Sequence, residues 1–468
     1  MRRLLVMVVA AVLPVAAAAE TIDWNAVTRE ATGYLQEYVR LDTSNPPGDV
    51  SDAIAYLQRI LSDAGVATQV FESAPGKRSL LARLPGGEAG KPILLLSHAD
   101  VVPASAAQWK VPPFSGALQD GVVWGRGTLD DKGHGIAQLM TMLLLQRQHT
   151  PLRRGVSMLV TADEEIGGEL GAKWMVEQHW DQLDPWLVIN EGGSGIRGML
   201  ANDTPAFLVA VAEKQVLWLE LTAAGEAGHG SQPTENNAND TLVRALNRVL
   251  DSPRPYRVGP VTAEMFRQLA PGLSFPASFI TARLDSPLFF SLAKGRLLQN
   301  RQTRAMLHDT VSLTMLNAGY KANVIPSQAT ATIDCRLLPE TQQSEFIEWL
   351  AARLDERRIA VRALQSSVPA PPSDFNGLFF DTVRAVMRDL RPDGLVAPVL
   401  TIGGTDSRFF RARGVNAYGF APVILTTDDV NTLHGVDEHV SVDNVRFGVE
   451  ATYRLVERLT SADSERAP

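Results

Sequence analysis

Three short apolar runs, Ile93 to Leu96, Val156 to Val160 and Trp186 to Ile189, each lead into residues that can hold a cation or move a proton. The first ends in Ser97-His98-Ala99-Asp100, the second in Asp163-Glu164-Glu165 and the third in Asn190-Glu191. A fourth acidic group lies in the glycine-flanked loop Gly125-Arg126-Gly127-Thr128-Leu129-Asp130-Asp131-Lys132-Gly133. Taken singly, each has an ordinary explanation: a satisfied histidine, a helix cap, a solvated turn. Together they occupy successive strand ends, where an open α/β sheet gathers its ligand-binding loops. Imidazole clustered with carboxylates suits zinc, and a set this rich in carboxylates suits two ions sharing a bridge.

The elements that must position these groups are legible as alternating strands and helices. Helical spacing runs from Asp23 to Leu41, Asp52 to Leu61, Gly133 to Gln148 and Leu170 to Trp180, and the apolar runs between them read as buried strands of a sheet with parallel character. Near Lys214 the texture changes. Val216 to Thr222, Ala329 to Leu337 and Ile359 to Leu364 read as strands, with helices at Asn236 to Leu250 and Ser344 to Leu354. This predicts a catalytic domain over residues 20–213 and 369–468, interrupted by a small α+β domain over 214–368. Within the smaller domain, 253–308 reads as a mostly helical insertion, and Pro369-Ala370-Pro371-Pro372 as the return linker. A helix from Gly377 to Arg388, a strand at Val399 to Ile402 and a helix around Val442 to Leu459 follow.

The ordered set of motifs resembles the zinc-dependent aminoacylase and carboxypeptidase family, which includes carboxypeptidase G, acetylornithine deacetylase and succinyl-diaminopimelate desuccinylase. Within it the chain looks most like the carboxypeptidase S branch and its N-acyl-amino-acid hydrolase relatives. The resemblance runs from Leu41-Asp42-Thr43-Ser44-Asn45-Pro46-Pro47-Gly48 to Leu433-His434-Gly435-Val436-Asp437-Glu438. It implies a mixed α/β sheet flanked by helices and carrying two zinc ions, with cobalt or manganese as substitutes, under an inserted ferredoxin-like lid that also serves dimerisation. By that resemblance Asp130 bridges the ions, His98 and Glu191 complete one site, and Glu165 and His434 complete the other. Asp100 would orient His98, Glu164 would be the general base, and Asp130 and Asp131 would be joined by a cis peptide. Glu191 stands where many family members carry Asp and marks the carboxypeptidase S branch.

Substrate recognition is implied by the same likeness. His229, in Glu226-Ala227-Gly228-His229-Gly230-Ser231-Gln232-Pro233, matches the lid histidine that polarises the scissile carbonyl in family members. Arg336, in Asp334-Cys335-Arg336-Leu337-Leu338-Pro339, would grip the substrate carboxylate in a bidentate fork, with Gly403, Gly404 and Thr405 offering backbone donors. The implied reaction is hydrolysis of an amide or peptide bond beside a free carboxylate, in a small peptide or N-acyl amino acid. A narrow deacylase or dipeptidase of the same family is the nearest alternative. An exported metal-containing binding protein is another, but it has no need of Glu164 beside a ligating Glu165.

Composition agrees with this reading. The chain has 468 residues, 45% hydrophobic and 21% charged, the balance of a folded protein of two domains. A net charge of -8 provides no broad basic field, which argues against nucleic acid as a partner. Arg2 and Arg3, the apolar run Leu4 to Val15 and then Ala16 to Ala19 predict a secretory leader over 1–19, cleaved after Ala19. Its apolar run is short of the ~20 residues a spanning helix needs, so the mature protein is expected in the periplasm or outside the cell without a membrane span. The lone Cys335 cannot close an internal disulfide and reads as a small buried hydrophobe.

Overall fold

The computed structural model describes residues 21–87, 90–200 and 203–461; the leader expected over 1–19 lies outside the described residues. Its larger unit is built on a mixed sheet whose central strands run in the order Val156–Thr161, Ile93–His98, Leu187–Asn190 and Asn416–Gly419, all parallel. Ile93 pairs with both Val156 and Leu187, so these strands are in phase and their carboxyl ends fall along one rim. Every residue of Ile93–His98, Val156–Thr161 and Leu187–Asn190 is buried, which is why they read as continuous apolar runs rather than alternating ones. The antiparallel hairpin Ala67–Ala74 and Lys77–Leu84 extends one side, and Ala206–Glu213 with its parallel partner Leu395–Thr401 extends the other.

Helix Lys132–Arg147 packs between the sheet and helices Trp24–Arg40 and Val442–Ser461. It is buried almost all round, as a helix covered on both sides must be, and its buried Lys132 and Gln138 find backbone oxygens as partners. Met175, Val176, Leu183 and Phe410 cover the opposite face of the sheet.

The smaller unit is a four-stranded antiparallel sheet in the spatial order Thr310–Ala318, Gln328–Leu337, Gln215–Ala224, Ile359–Ser366. Helices Ala238–Leu250 and Gln343–Leu354 lie on one face. In chain order this is strand-helix-strand-strand-helix-strand, the ferredoxin-like arrangement. Alternation puts Leu217, Leu219, Leu221 and Ala223 under the helices and leaves Trp218, Glu220 and Thr222 on the other face.

Several elements depart from the sequence reading. Thr310–Ala318 is a fourth strand of the lid that the sequence reading omits, although Val311, Leu313 and Met315 alternate with Ser312 and Thr314; it is an edge strand with mostly exposed residues. The hairpin at 67–84 and the short parallel strand Asn416–Gly419 are likewise absent from that reading. The expected helix Leu170 to Trp180 is confined to Ala172–Gln178, followed by the short turn Trp180–Leu183. Finally, the helical stretch within 253–308 packs on the larger unit: Met265, Phe266 and Leu269 of Pro260–Leu269 meet Ala206, Ala210, Ala397 and Val399.

Candidate di-metal active site

The four parallel strands deliver their loops to one rim, and the loop before helix Lys132–Arg147 reaches in from the side. Asp130, on that loop, lies at the centre. Its Oδ1 is 3.1 Å from Nε2 of His98 and its Oδ2 is 3.0 Å from Nε2 of His434, so one carboxylate faces two imidazoles with separate oxygens. Glu191 Oε1 stands 3.9 Å from His98 Nε2, and Glu165 Oε2 stands 3.2 Å from His434 Nε2. Two groups able to hold a metal ion result, His98 with Asp130 and Glu191, and Asp130 with Glu165 and His434. The peptide bond between Asp130 and Asp131 is cis.

Three of the five ligand candidates, His98, Glu165 and Asp130, are held from behind. Nδ1 of His98 lies 2.9 Å from the backbone oxygen of Asp100, which keeps a proton on Nδ1 and turns Nε2 toward Asp130, the nitrogen that a metal ion would take. The carboxylate of Asp100 is 3.5 Å from the same ring. Its two oxygens also accept the backbone N–H groups of Glu164 and Glu165, each at 3.2 Å, and the side-chain amide of Asn45 at 2.8 Å. Asp100 therefore sets the His98 ring and the Glu164-Glu165 turn together. Asp163, at positive φ, accepts from Lys77 at 2.9 Å and from the N–H of Leu170 at 3.2 Å, pinning the same turn from its other end.

The loop carrying Asp130 is clamped by Glu438. Its Oε1 accepts the N–H groups of Leu129 and Asp130 at 2.8 and 3.1 Å, and its Oε2 accepts Arg126 at 2.6 Å and the N–H of Gly127 at 3.2 Å. Sequence reasoning assigned no role to Glu438, Asn45, Lys77 or Asp163. The signal for Glu438 and Asn45 was their place inside the two terminal motifs, and for Lys77 there was none.

Electrostatically the cluster is short of positive charge. Burial pushes the carboxyl of Glu191 well above the ordinary range, and the neighbouring charges of Asp130 and Glu164 push it the same way. Glu164 is raised well above its usual value by burial and by Asp406 and Glu165, and Glu165 by burial and Asp130. His434 is raised to about 10 by its contacts with Asp130 and Glu165. Burial works against charge on His98, but Asp100 and Asp130 override it and raise the ring well above its usual value. Buried carboxylates converging on two imidazole nitrogens are the donor set that divalent cations relieve, and the residues present fit two of them.

The remaining expected residues are not among the groups that face Asp130. His229 is exposed in the lid, its Nδ1 2.7 Å from Ser231 Oγ. Arg336 lies on the lid face opposite the helices, and its fork is closed on Asp334 at 2.8 and 3.0 Å. Among the described residues no hydrogen bond links either of them to the cluster. Gly403 and Gly404 follow strand Leu395–Thr401; a side chain at Gly403 would meet open space, and one at Gly404 would meet Arg408 at 3.0 Å. Thr405 donates its backbone N–H to Glu213, which also holds the buried Arg411 at 2.6 Å, so that donor is turned inward.

Comparison with known proteins agrees with this geometry. Residues 94–458 match the profile of the peptidase family M20/M25/M40, and the chain belongs to that family of metal-dependent hydrolases. It is 33% identical over 422 residues to the N-fatty-acyl-amino acid synthase/hydrolase PM20D1 of Xenopus tropicalis, covering 88% of this chain and 81% of that protein. It is 31% identical over 380 residues to the probable carboxypeptidase S-like 2 of Dictyostelium discoideum, covering 79% and 72%. The fold is shared with the M20 family metallo-carboxypeptidase Sso-CP2 of Sulfolobus solfataricus, at 18% identity and a TM-score of 0.71 over 92% of this chain and 100% of that one. Family, branch and fold class thus stand as the motifs implied.

Proposed function

We propose that the chain hydrolyses an amide or peptide bond whose leaving side carries a free carboxylate, in an N-acyl amino acid or small peptide, with two zinc ions seated on the Asp130 cluster. The observation that carries this reading is the placement of Asp130, one oxygen toward His98 and the other toward His434. His98 and Glu191 would hold one ion and Glu165 and His434 the other, a donor set of imidazole and carboxylate that suits zinc and admits cobalt or manganese. Bound there, the ions supply an acidified water and polarise the scissile carbonyl.

The chain's own residues do the rest. Glu164 takes the proton of the attacking water and returns it to the leaving nitrogen, while Glu165, tied to metal, has no part in proton transfer. Asp100 keeps Glu164 and His98 in register through the contacts described above. His229 polarises the substrate carbonyl, Arg336 exchanges Asp334 for the substrate carboxylate, and Gly403, Gly404 and Thr405 line the approach. The names of the Xenopus and Dictyostelium relatives support this substrate class. Export by the leader over 1–19 and a homodimer formed through the lid belong to the same proposal.

The test is release of amino acid from a panel of N-acyl amino acids, each as the free acid and as its amide, before and after chelation. Turnover of the free acids that chelation abolishes and zinc restores is expected. Equal turnover of acids and amides would overturn the carboxylate requirement, and full activity in verified metal-free protein would overturn the metal assignment.

A further inference from the structure

The segment 253–308 differs from the rest of the chain in charge and in exposure. It carries eight Lys or Arg against two Asp or Glu, while the whole chain has a net charge of -8. Arg254 and Arg257 pair with Asp309, and Arg267 takes both acidic residues of the segment, Glu264 and Asp285. That leaves Arg283, Lys294, Arg296, Arg301 and Arg304, none of which has an ion-pair partner among the described residues.

The same segment exposes apolar side chains that its own packing does not use. Helices Ala277–Thr281, Pro287–Leu297 and Arg301–Met306 contain no buried residue. In Pro287–Leu297 the inner face is Phe290, Ala293 and Leu297, packed on the cluster around Met265. The outer face carries Leu288 and Leu292, 65% and 66% exposed and one turn apart, followed by Gly295, where a side chain would meet open space. Phe275 and Phe279 are 82% and 44% exposed, and Phe279 joins the two helices by an edge contact with Phe289 at 5.7 Å. Arg283 lies over the Phe279 ring at 3.8 Å.

We infer that this helical insertion docks on the surface of an anionic lipid bilayer. A monomer rarely leaves such a patch in water without a partner. Leucine and phenylalanine flanked by uncompensated cations are what an interfacial helix presents to anionic headgroups, whereas protein interface cores are depleted in lysine. The binding is peripheral, since no helix among the described residues is long and apolar enough to cross a membrane. The insertion is anchored on the strands Ala206–Glu213 and Leu395–Thr401 of the larger sheet, so docking would fix the hydrolytic unit, and not only the lid, relative to the membrane.

Flotation of the full chain with vesicles tests this. Binding to vesicles of phosphatidylcholine with phosphatidylglycerol is expected, with little to phosphatidylcholine alone and release by added salt. Lys294→Gln/Arg296→Gln/Arg301→Gln and Leu288→Asn/Leu292→Asn should each lower the bound fraction roughly tenfold or more, with melting temperature unchanged because all five side chains are exposed. A dye on Phe275→Cys, with Cys335 buried, should report an apolar environment only when anionic vesicles are added. Failure of the wild-type chain to bind anionic vesicles at low salt, or equal binding by both variants, would overturn the inference. Self-association lost in the leucine variant without vesicle binding would overturn it in favour of a second copy on the patch.

Discussion

The backbone N–H of Asp130 donates to the carboxylate of Glu438 at 3.1 Å, across 308 positions of the chain. The residue with one oxygen toward each candidate metal site is therefore positioned by a side chain that meets neither site directly. Glu438 is fully buried and also neutralises Arg126. Glu438→Ala would strand that guanidinium and the loop's N–H groups, at a cost of about 3 to 5 kcal/mol. Thermal unfolding and metal content should both fall, and Glu438→Gln should recover part of each. Unaltered metal content in a folded Glu438→Ala protein would show that the clamp is dispensable.

Asp130 and Glu191 should differ in what they release. Asp130→Asn disturbs both candidate sites at once, whereas Glu191→Gln removes a ligand from one. Metal analysis after dialysis is expected to find the Asp130→Asn protein depleted of both ions and the Glu191→Gln protein retaining about one. Equal depletion in the two variants would contradict a bridging role.

Glu164 and Glu165 are adjacent in sequence and should fail in different ways. Glu164→Gln is expected to keep its metals and its affinity for a substrate analogue while kcat falls by about 10² to 10⁴. Glu165→Gln should lose metal affinity first. Normal turnover by metal-loaded Glu164→Gln would move the general base elsewhere.

Asp406 predicts a pH effect on stability. Its carboxyl is raised from 3.8 to about 7, chiefly by burial. It is buried with one oxygen on Thr161 and the other without a hydrogen-bond partner among the described residues. Between those values the native state keeps a proton that the unfolded chain has lost, so this group's contribution to stability falls as pH rises from about 4 to about 7. Asp406→Asn should flatten that decline and be relatively more stable than wild type above pH 7. Denaturant titrations across the range, at fixed metal concentration, would show parallel curves if Asp406 does not titrate this way.

The residues of the candidate site were legible to different degrees. His98, Glu164, Glu165 and Glu191 stand at the ends of wholly buried strands, and burial on both faces produces an apolar run that any reading of hydropathy detects. Asp130 was marked by its glycine-flanked loop, but His434 has no such frame and entered only through the motif it shares with a family. Its approach to Asp130 depends on a return of the chain after the inserted lid.

What the sequence determined by itself is local: the periodicity of helices such as Trp24–Arg40, the three buried central strands read from hydropathy, and an acidic group after each of them, joined at the first by the imidazole of His98. Tertiary structure alone decided which of these groups meet. Pairing of Asn416–Gly419 with Leu187–Asn190, the clamp of Glu438 on the Asp130 loop and the seat of the 253–308 helices on the larger sheet join segments far apart in sequence. Thr310–Ala318 makes the same point from the other side. Val311, Leu313 and Met315 alternate with Ser312 and Thr314, yet most of the strand stays exposed, so alternation marks a strand here without marking a buried face, and pairing with Gln328–Leu337 is what places it at the edge of the lid sheet. Local patterns record which faces are apolar; contacts between distant segments depend on the packing of the whole chain, and no short window of sequence contains it.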